Sequence, residues 1–205
     1  MKKKLSIKEC LRRLLGLDPS SLDKPGKNKG ERGQFLESLL GVANGSDLKD
    51  LEDGELKTFT LGESIFVTQL KHCLPEILEE KSGFSTSKVG EKLNQVIYFG
   101  FTRTNDYIGH FLVNRKTDLK HYQQLEEDYD HICLTIRARL EAREQLNTIT
   151  GPNGLLQIRT KDSKTNGAYH PLTYEGFTLK NKGMAFYLCG KFGKGLLGTN
   201  TPMHS

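Results

Sequence analysis

The chain reads as one α/β domain with a mixed sheet flanked by helices. Three observations predict that class. Helical stretches come first, strand-like stretches follow, and a long helix separates these from a second set of strands, an order that suits a mixed sheet covered by helices. Residues 96–103 (VIYFGFTR) are apolar over most of their length, which predicts a strand at the centre of the sheet. Over residues 118–146, Leu119, Tyr122, Leu125, Tyr129, Ile132, Ile136 and Leu140 recur at helical spacing, so this stretch predicts the longest helix.

Length and composition narrow the choice further. A chain of 205 residues fits a single domain over 1–205 and can bury a sizeable core. No apolar run approaches the ~18 residues of a membrane span. The Lys-rich start runs directly into an amphipathic Leu5–Glu9, so no secretory signal is expected. Cys10, Cys73, Cys133 and Cys189 are far apart and show neither CxxC nor CxxH spacing. That argues against a zinc site or a disulfide framework and predicts reduced thiols in a cytoplasmic protein.

Taken in order, Leu5, Cys10, Leu11, Leu14 and Leu15 predict an amphipathic helix over 4–16, ended by Asp18-Pro19. Residues 20–30 are a polar Lys/Gly/Pro-bearing loop. Phe35, Leu36, Leu39 and Leu40 then form the stripe of a second helix that closes at Gly41, with Glu37 on its flank. Residues 47–58 read as a hairpin turning at Asp53-Gly54. A strand is expected over 64–70 and a short helix over 74–81. Residues 85–94 predict a helix behind a Ser/Thr cap, carrying Lys88 and Lys92. Further strands are expected over 109–114, 155–160, 177–179 and 185–188, and a terminal helix over 191–197.

The formal charge is +5, and the basic residues crowd the two ends. Lys2, Lys3, Lys4, Lys8, Arg12, Arg13, Lys24, Lys27, Lys29 and Arg32 lie in the first 32 residues, while Arg159, Lys161, Lys164, Lys180, Lys182, Lys191 and Lys194 lie in the last 50. Two basic ends around a mixed middle suit a protein that grips a polyanion. Solvated surface lysine would give the same composition.

Candidate chemistry lies between Asp47 and Thr58. On a strand, Glu55 and Lys57 point to one face and Leu56 to the other. An acid arriving from the preceding segment, Asp47 or Asp50, can meet them in space. Two carboxylates hold a hard cation such as Mg²⁺ through oxygen, and an adjacent ammonium can orient water or offset charge on a phosphate. Glu-x-Lys alone has little specificity in a chain that is 27% charged.

The order of short motifs is more specific. Lys29-Gly30-Glu31-Arg32-Gly33-Gln34-Phe35-Leu36-Glu37, then Ser46-Asp47 and Gly54-Glu55-Leu56-Lys57-Thr58, resembles the MutH family of DNA endonucleases. That family includes the mismatch-repair strand-nicking enzyme and related restriction enzymes that recognise GATC. Phe66-Val67-Thr68, Glu91-Lys92-Leu93, Leu156-Gln157-Ile158-Arg159-Thr160-Lys161 and Phe186-Tyr187-Leu188 fall where the family has matching elements, so the resemblance covers roughly residues 5 to 197.

The resemblance implies a PD-(D/E)xK restriction-endonuclease-like fold with two lobes around a DNA cleft. It implies that Asp47 and Glu55 are metal carboxylates and that the Leu56 carbonyl completes the shell. Lys57 would be the motif lysine, Glu37 a further acid at the site and Lys92 a second lysine. Lys29 would contact phosphate, while Arg159, Lys161 and Tyr187 would meet the DNA grooves. Seven residues separate Asp47 from Glu55 and four separate Asp50 from it, and the family's usual spacing falls between the two. The Ser-Asp-Leu context favours Asp47 and leaves Asp50 second.

The expected activity is therefore Mg²⁺-dependent, sequence-specific hydrolysis of double-stranded DNA. Divergence over 162–182 favours a restriction enzyme, acting as a transient homodimer or as one half of a heterodimer, over a repair nickase. A DNA-binding domain without catalysis is the rival from another class.

Overall fold

A computed structural model describes residues 4–23, 29–42, 49–79, 83–161, 172–179 and 183–199. In chain order the elements begin with α1 (Ile7–Leu15), α2 (Lys29–Leu40), β1 (Glu55–Thr60), β2 (Ile65–Gln69), α3 (Leu70–Glu79) and α4 (Lys88–Leu93). They continue with β3 (Gln95–Phe101), β4 (Tyr107–Asn114), α5 (Leu119–Glu141), β5 (Ile149–Thr150) and β6 (Leu156–Thr160). The last are β7 (Thr173–Tyr174), β8 (Phe177–Thr178), β9 (Met184–Leu188) and α6 (Gly190–Thr199). The protein is mixed α/β, with a mixed three-stranded sheet flanked by helices; the strands expected in one sheet are divided between it, a four-stranded sheet and the β7-β8 pair.

The chain divides into two compact units, one made of Met1–Ile65, Lys92–Thr117 and Gly190–Ser205, the other of Phe66–Glu91 and Asp118–Cys189. In the first, the strand order is β1-β3-β4. β1 runs parallel to β3, with Glu55 opposite Val96, and β3 runs antiparallel to β4. The apolar β3 is therefore central, as its composition predicts. One face of this sheet, through Leu56, Ile97, Phe99 and Phe101, packs on Ile7, Cys10 and Leu14 of α1 and on Leu36 and Leu40 of α2. The other face meets α6, where Phe192 lies 5.1 Å from Tyr98 and Gly193 leaves room for the Phe59 ring.

The start of α1 also shapes the approach to β1. Ser6 caps the helix by accepting the Glu9 N–H at 3.2 Å, while the Asp53 carboxylate accepts the Ile7 N–H at 2.7 Å. Glu52 N–H donates to the Leu5 carbonyl at 2.8 Å. These bonds tie the segment ahead of Glu55 to the helix. The hairpin expected over 47–58 is not what β1 enters: its partner is β3, in parallel, and residues 50–54 are a string of bends. A run rich in Asp, Glu and Lys makes a poor strand, and the apolar β3 offers a better neighbour.

In the second unit the strand order is β2-β9-β6-β5. β6 and β9 are antiparallel, with Ile158 opposite Phe186 and Gln157 opposite Tyr187. The face carrying Phe186 packs on α5, where Tyr129 lies 6.0 Å away. Tyr122, Leu125, Tyr129, Ile132, Ile136 and Leu140 of α5 are buried as the stripe predicts. Leu119, expected in the same stripe, is 69% exposed because it is the first residue of the helix, before the helix reaches the sheet.

Asp128, a charged residue between Leu125 and Tyr129 on α5, is fully buried. Its carboxylate accepts N–H groups from Asn153 at 2.6 Å, Leu155 at 2.7 Å and Leu156 at 2.8 Å, which staples the entry of β6 to α5. Other boundaries shift modestly. α3 begins at Leu70, earlier than the helix expected over 74–81, and the cap of α4 is Ser87, whose hydroxyl accepts the Gly90 N–H at 3.0 Å.

Cys10, Cys73, Cys133 and Cys189 are free thiols. Burial pushes Cys10 up to about 11 and Cys133 up to about 12, so these two act as apolar core groups rather than nucleophiles. No helix among the described residues is long and apolar enough to cross a membrane.

Candidate functional site

Glu55 is the first residue of β1, and although it is charged it is only 1% exposed. Alternation along the strand sends Leu56 into the core and leaves Glu55 and Lys57 on the opposite face. The Lys57 Nζ lies 3.1 Å from Glu55 Oε2. Lys92 sits in the last turn of α4, three positions before β3, and that turn ends beside the strand registered against β1. Its Nζ lies 3.0 Å from Glu55 Oε1. Each oxygen of the buried carboxylate is thus held by a lysine. A buried carboxylate is costly unless paired, and here the pairing is twofold.

Two further carboxylates approach this ion-pair triad. Asp50 Oδ2 accepts the Leu56 N–H at 3.3 Å, which places it beside the start of β1. Glu37, half-buried on α2, has a carboxyl raised above the ordinary glutamate range, first by burial and then by the negative charges of Asp50 and Glu55. The structure thus brings Glu37, Asp50, Glu55, Lys57 and Lys92 into one cluster. Asp47 lies outside the described residues, and so does the side chain of Lys29, the first residue of α2.

No group of three or more His, Cys, Asp or Glu side chains among the described residues could by itself hold a metal ion. Mg²⁺ does not require three: it keeps several waters and binds proteins through one or two carboxylates together with substrate phosphates. Among the described residues, the hard oxygen donors brought near one another at this cluster are the carboxylates of Glu37, Asp50 and Glu55. The mutual repulsion felt by Glu37 is of the kind a divalent cation relieves.

The other residues expected to act lie on the sheet of the second unit. Alternation along β6 and β9 puts Gln157, Arg159, Ala185 and Tyr187 on the face opposite α5. The Arg159 guanidinium lies 4.5 Å above the Tyr187 ring, and the Phe66 ring meets Tyr187 edge-on at 5.7 Å. Lys161 Nζ stands 5.2 Å over Phe66. Arg159, Lys161 and Phe66 are exposed, while Tyr187 is only 8% exposed. The tyrosine ring serves as a platform for Arg159 rather than as a free surface.

Arg32 was counted among the basic residues of the first end, but it is buried. Its guanidinium stacks 4.7 Å from the Phe101 ring and donates to Thr60 Oγ1 at 3.2 Å and to the Asn105 side chain. It braces α2 against the sheet and is withdrawn from any polyanion. Composition could not show the burial of Arg32, and Phe66, noted in sequence only as part of a matched motif, was given no role there; its signal was a large aromatic at the outward position of an apolar strand. Compared with known proteins, the chain matches no family model and no curated protein.

Proposed function

We propose that the chain is a Mg²⁺-dependent DNA endonuclease of the PD-(D/E)xK kind that hydrolyses phosphodiester bonds in double-stranded DNA. The observation that carries this reading is the buried Glu55 with Lys57 and Lys92 on its two oxygens and Glu37 and Asp50 beside it. The motif order that resembles the MutH family supports the same reading.

Asp50, Glu55 and the Leu56 carbonyl would hold the cation, with Asp47 as the competing acid for the place given to Asp50. A cation held there would supply Lewis-acid chemistry, polarising a phosphate oxygen and making a bound water more acidic. Lys57 and Lys92 supply two ammonium groups whose charge offsets that building on the phosphate in the transition state. Glu37 keeps its proton to a higher pH than an ordinary glutamate and can exchange it at the edge of the cluster. Arg159, stacked on Tyr187, presents its planar fork outward to a base edge, and Lys161 supplies a point charge for phosphate. Within this reading a restriction enzyme is favoured over a repair nickase, on the divergence over residues 162–182.

A second reading is a DNA-binding module without catalysis. One experiment separates the two. Supercoiled plasmid, methylated or unmethylated, is incubated with the protein with and without Mg²⁺, and the ends are mapped. Linear product at defined sites supports the restriction enzyme, and nicked circles alone support the nickase. Binding without any Mg²⁺-dependent cutting establishes the silent module.

A further inference from the structure

We propose that Lys71, His72 and Lys88 form, with Lys161, a grip for the phosphate backbone of double-stranded DNA beside the bases addressed by Arg159. The inference rests on the endonuclease reading and adds residues which that reading does not contain.

Three elements converge to build the grip. Lys71 and His72 lie in the first turn of α3, directly after β2, the strand that carries Phe66. Lys161 arrives from the end of β6 and stands 5.2 Å over the Phe66 ring. Lys88, the first residue of α4, donates from Nζ to the His72 carbonyl at 2.5 Å. All four side chains are exposed. Partial burial first, and then the positive charges of Lys71, Lys88 and Lys161, hold His72 below its usual range, so the three lysines lie in one neighbourhood around it.

Like charges kept together are unfavourable, and here the backbone keeps them together. The carboxylate of Glu76 accepts the Lys88 amide N–H at 3.0 and 3.3 Å, and Ser87 caps the helix that Lys88 opens. The bond from the Lys88 ammonium ends on a carbonyl, and the carboxylate that feels its charge is Glu76, already occupied by the Lys88 amide. A row of phosphates would relieve the repulsion. Lysine is a point-charge donor suited to phosphate in any sequence, and the strip continues into Arg159, whose planar fork suits a base edge. Charges spread over two helices and the segment after a strand match the repeating phosphates of a duplex better than a single small anion.

The test uses the full chain with Lys71→Gln and Lys88→Gln combined, and measures binding to a duplex of random sequence between roughly 50 and 200 mM salt. Each neutralised phosphate contributes about 0.9 to the slope of log affinity against log salt, so the double variant should be shallower by about 2. The weakening should be equal on cognate and one-base-changed duplexes. An unchanged slope, with the unsubstituted protein still steeply salt-dependent, overturns the grip and leaves the endonuclease reading standing. If the unsubstituted protein binds no duplex at all, the endonuclease reading falls and the grip with it. Loss confined to one sequence overturns the backbone assignment, as does displacement by an acidic peptide in preference to DNA. Should the double variant fail to fold, each single substitution should reduce the slope by about 1.

Discussion

At the scale of single residues, the consequential fact is that one buried carboxylate holds two ammonium groups. Glu55 can orient Lys57 and Lys92 only while all three remain, so the lysines are placed before any substrate arrives. Lys57→Ala should leave DNA binding largely intact and lower Mg²⁺-supported cleavage by ~10²-fold or more, as expected for losing one electrostatic or proton-transfer group. Gel-shift and plasmid-cleavage assays on the same variant check this, and near-normal cleavage would remove Lys57 from the site. The choice of acid is decided by a pair of substitutions. Asp50 bonds to the Leu56 amide and acts on Glu37, so Asp50→Ala should abolish Mg²⁺-supported cutting and Asp47→Ala should be mild. The reverse result returns the ligand role to Asp47. On the second unit, Arg159→Ala should remove about 1–3 kcal/mol of discrimination between cognate and one-base-changed duplexes, the worth of a bidentate guanine contact. Lys29→Ala should weaken binding to all of them alike; an equal loss on every duplex for Arg159→Ala would make it a phosphate contact.

At the scale of elements, small residues and one buried acid decide where the functional strands begin. Gly54 was expected to serve a turn, but the structure gives a different reason for glycine there. A Cβ would lie 2.4 Å from Ile7 Cδ1 and 2.5 Å from the Gln95 carbonyl oxygen. Gly54→Ala must therefore push β1 away from β3 or α1, and it should lower both the unfolding midpoint and cleavage, with Glu55 displaced from its lysines. Asp128 does the corresponding work for β6. Asp128→Ala leaves the buried N–H groups of Leu155 and Leu156 and the part-buried one of Asn153 without their acceptor, a loss on the order of 3 kcal/mol in urea unfolding. Wild-type stability in that variant would show that the staple is dispensable. Asp128 was hidden because charge is read from sequence as solvent-facing; its position inside the stripe between Leu125 and Tyr129 was the clue.

At the scale of the whole molecule, DNA binding should weaken steeply with salt, because each neutralised phosphate releases counterions. A flat dependence in an anisotropy titration over moderate salt would point to a partner other than DNA. Which basic residues contribute cannot be taken from the charge map, since Arg32 is buried against Phe101 while Lys71 and Lys88 stand exposed. The sequence by itself determined the mixed α/β class, the central place of the apolar β3, the stripe of α5 and the alternation that separates Glu55 and Lys57 from Leu56. These follow from local periodicity, which a short window of residues contains in full. Only the tertiary structure decided that β1 pairs in parallel with β3, that Lys92 reaches Glu55 across 37 residues of chain, and that Asp50 and Glu55 both come near enough to Glu37 to repel its charge. Such contacts depend on how distant segments pack, and local patterning leaves that free: a charged side chain reads the same in sequence whether it meets water, a counter-charge or a row of buried amides.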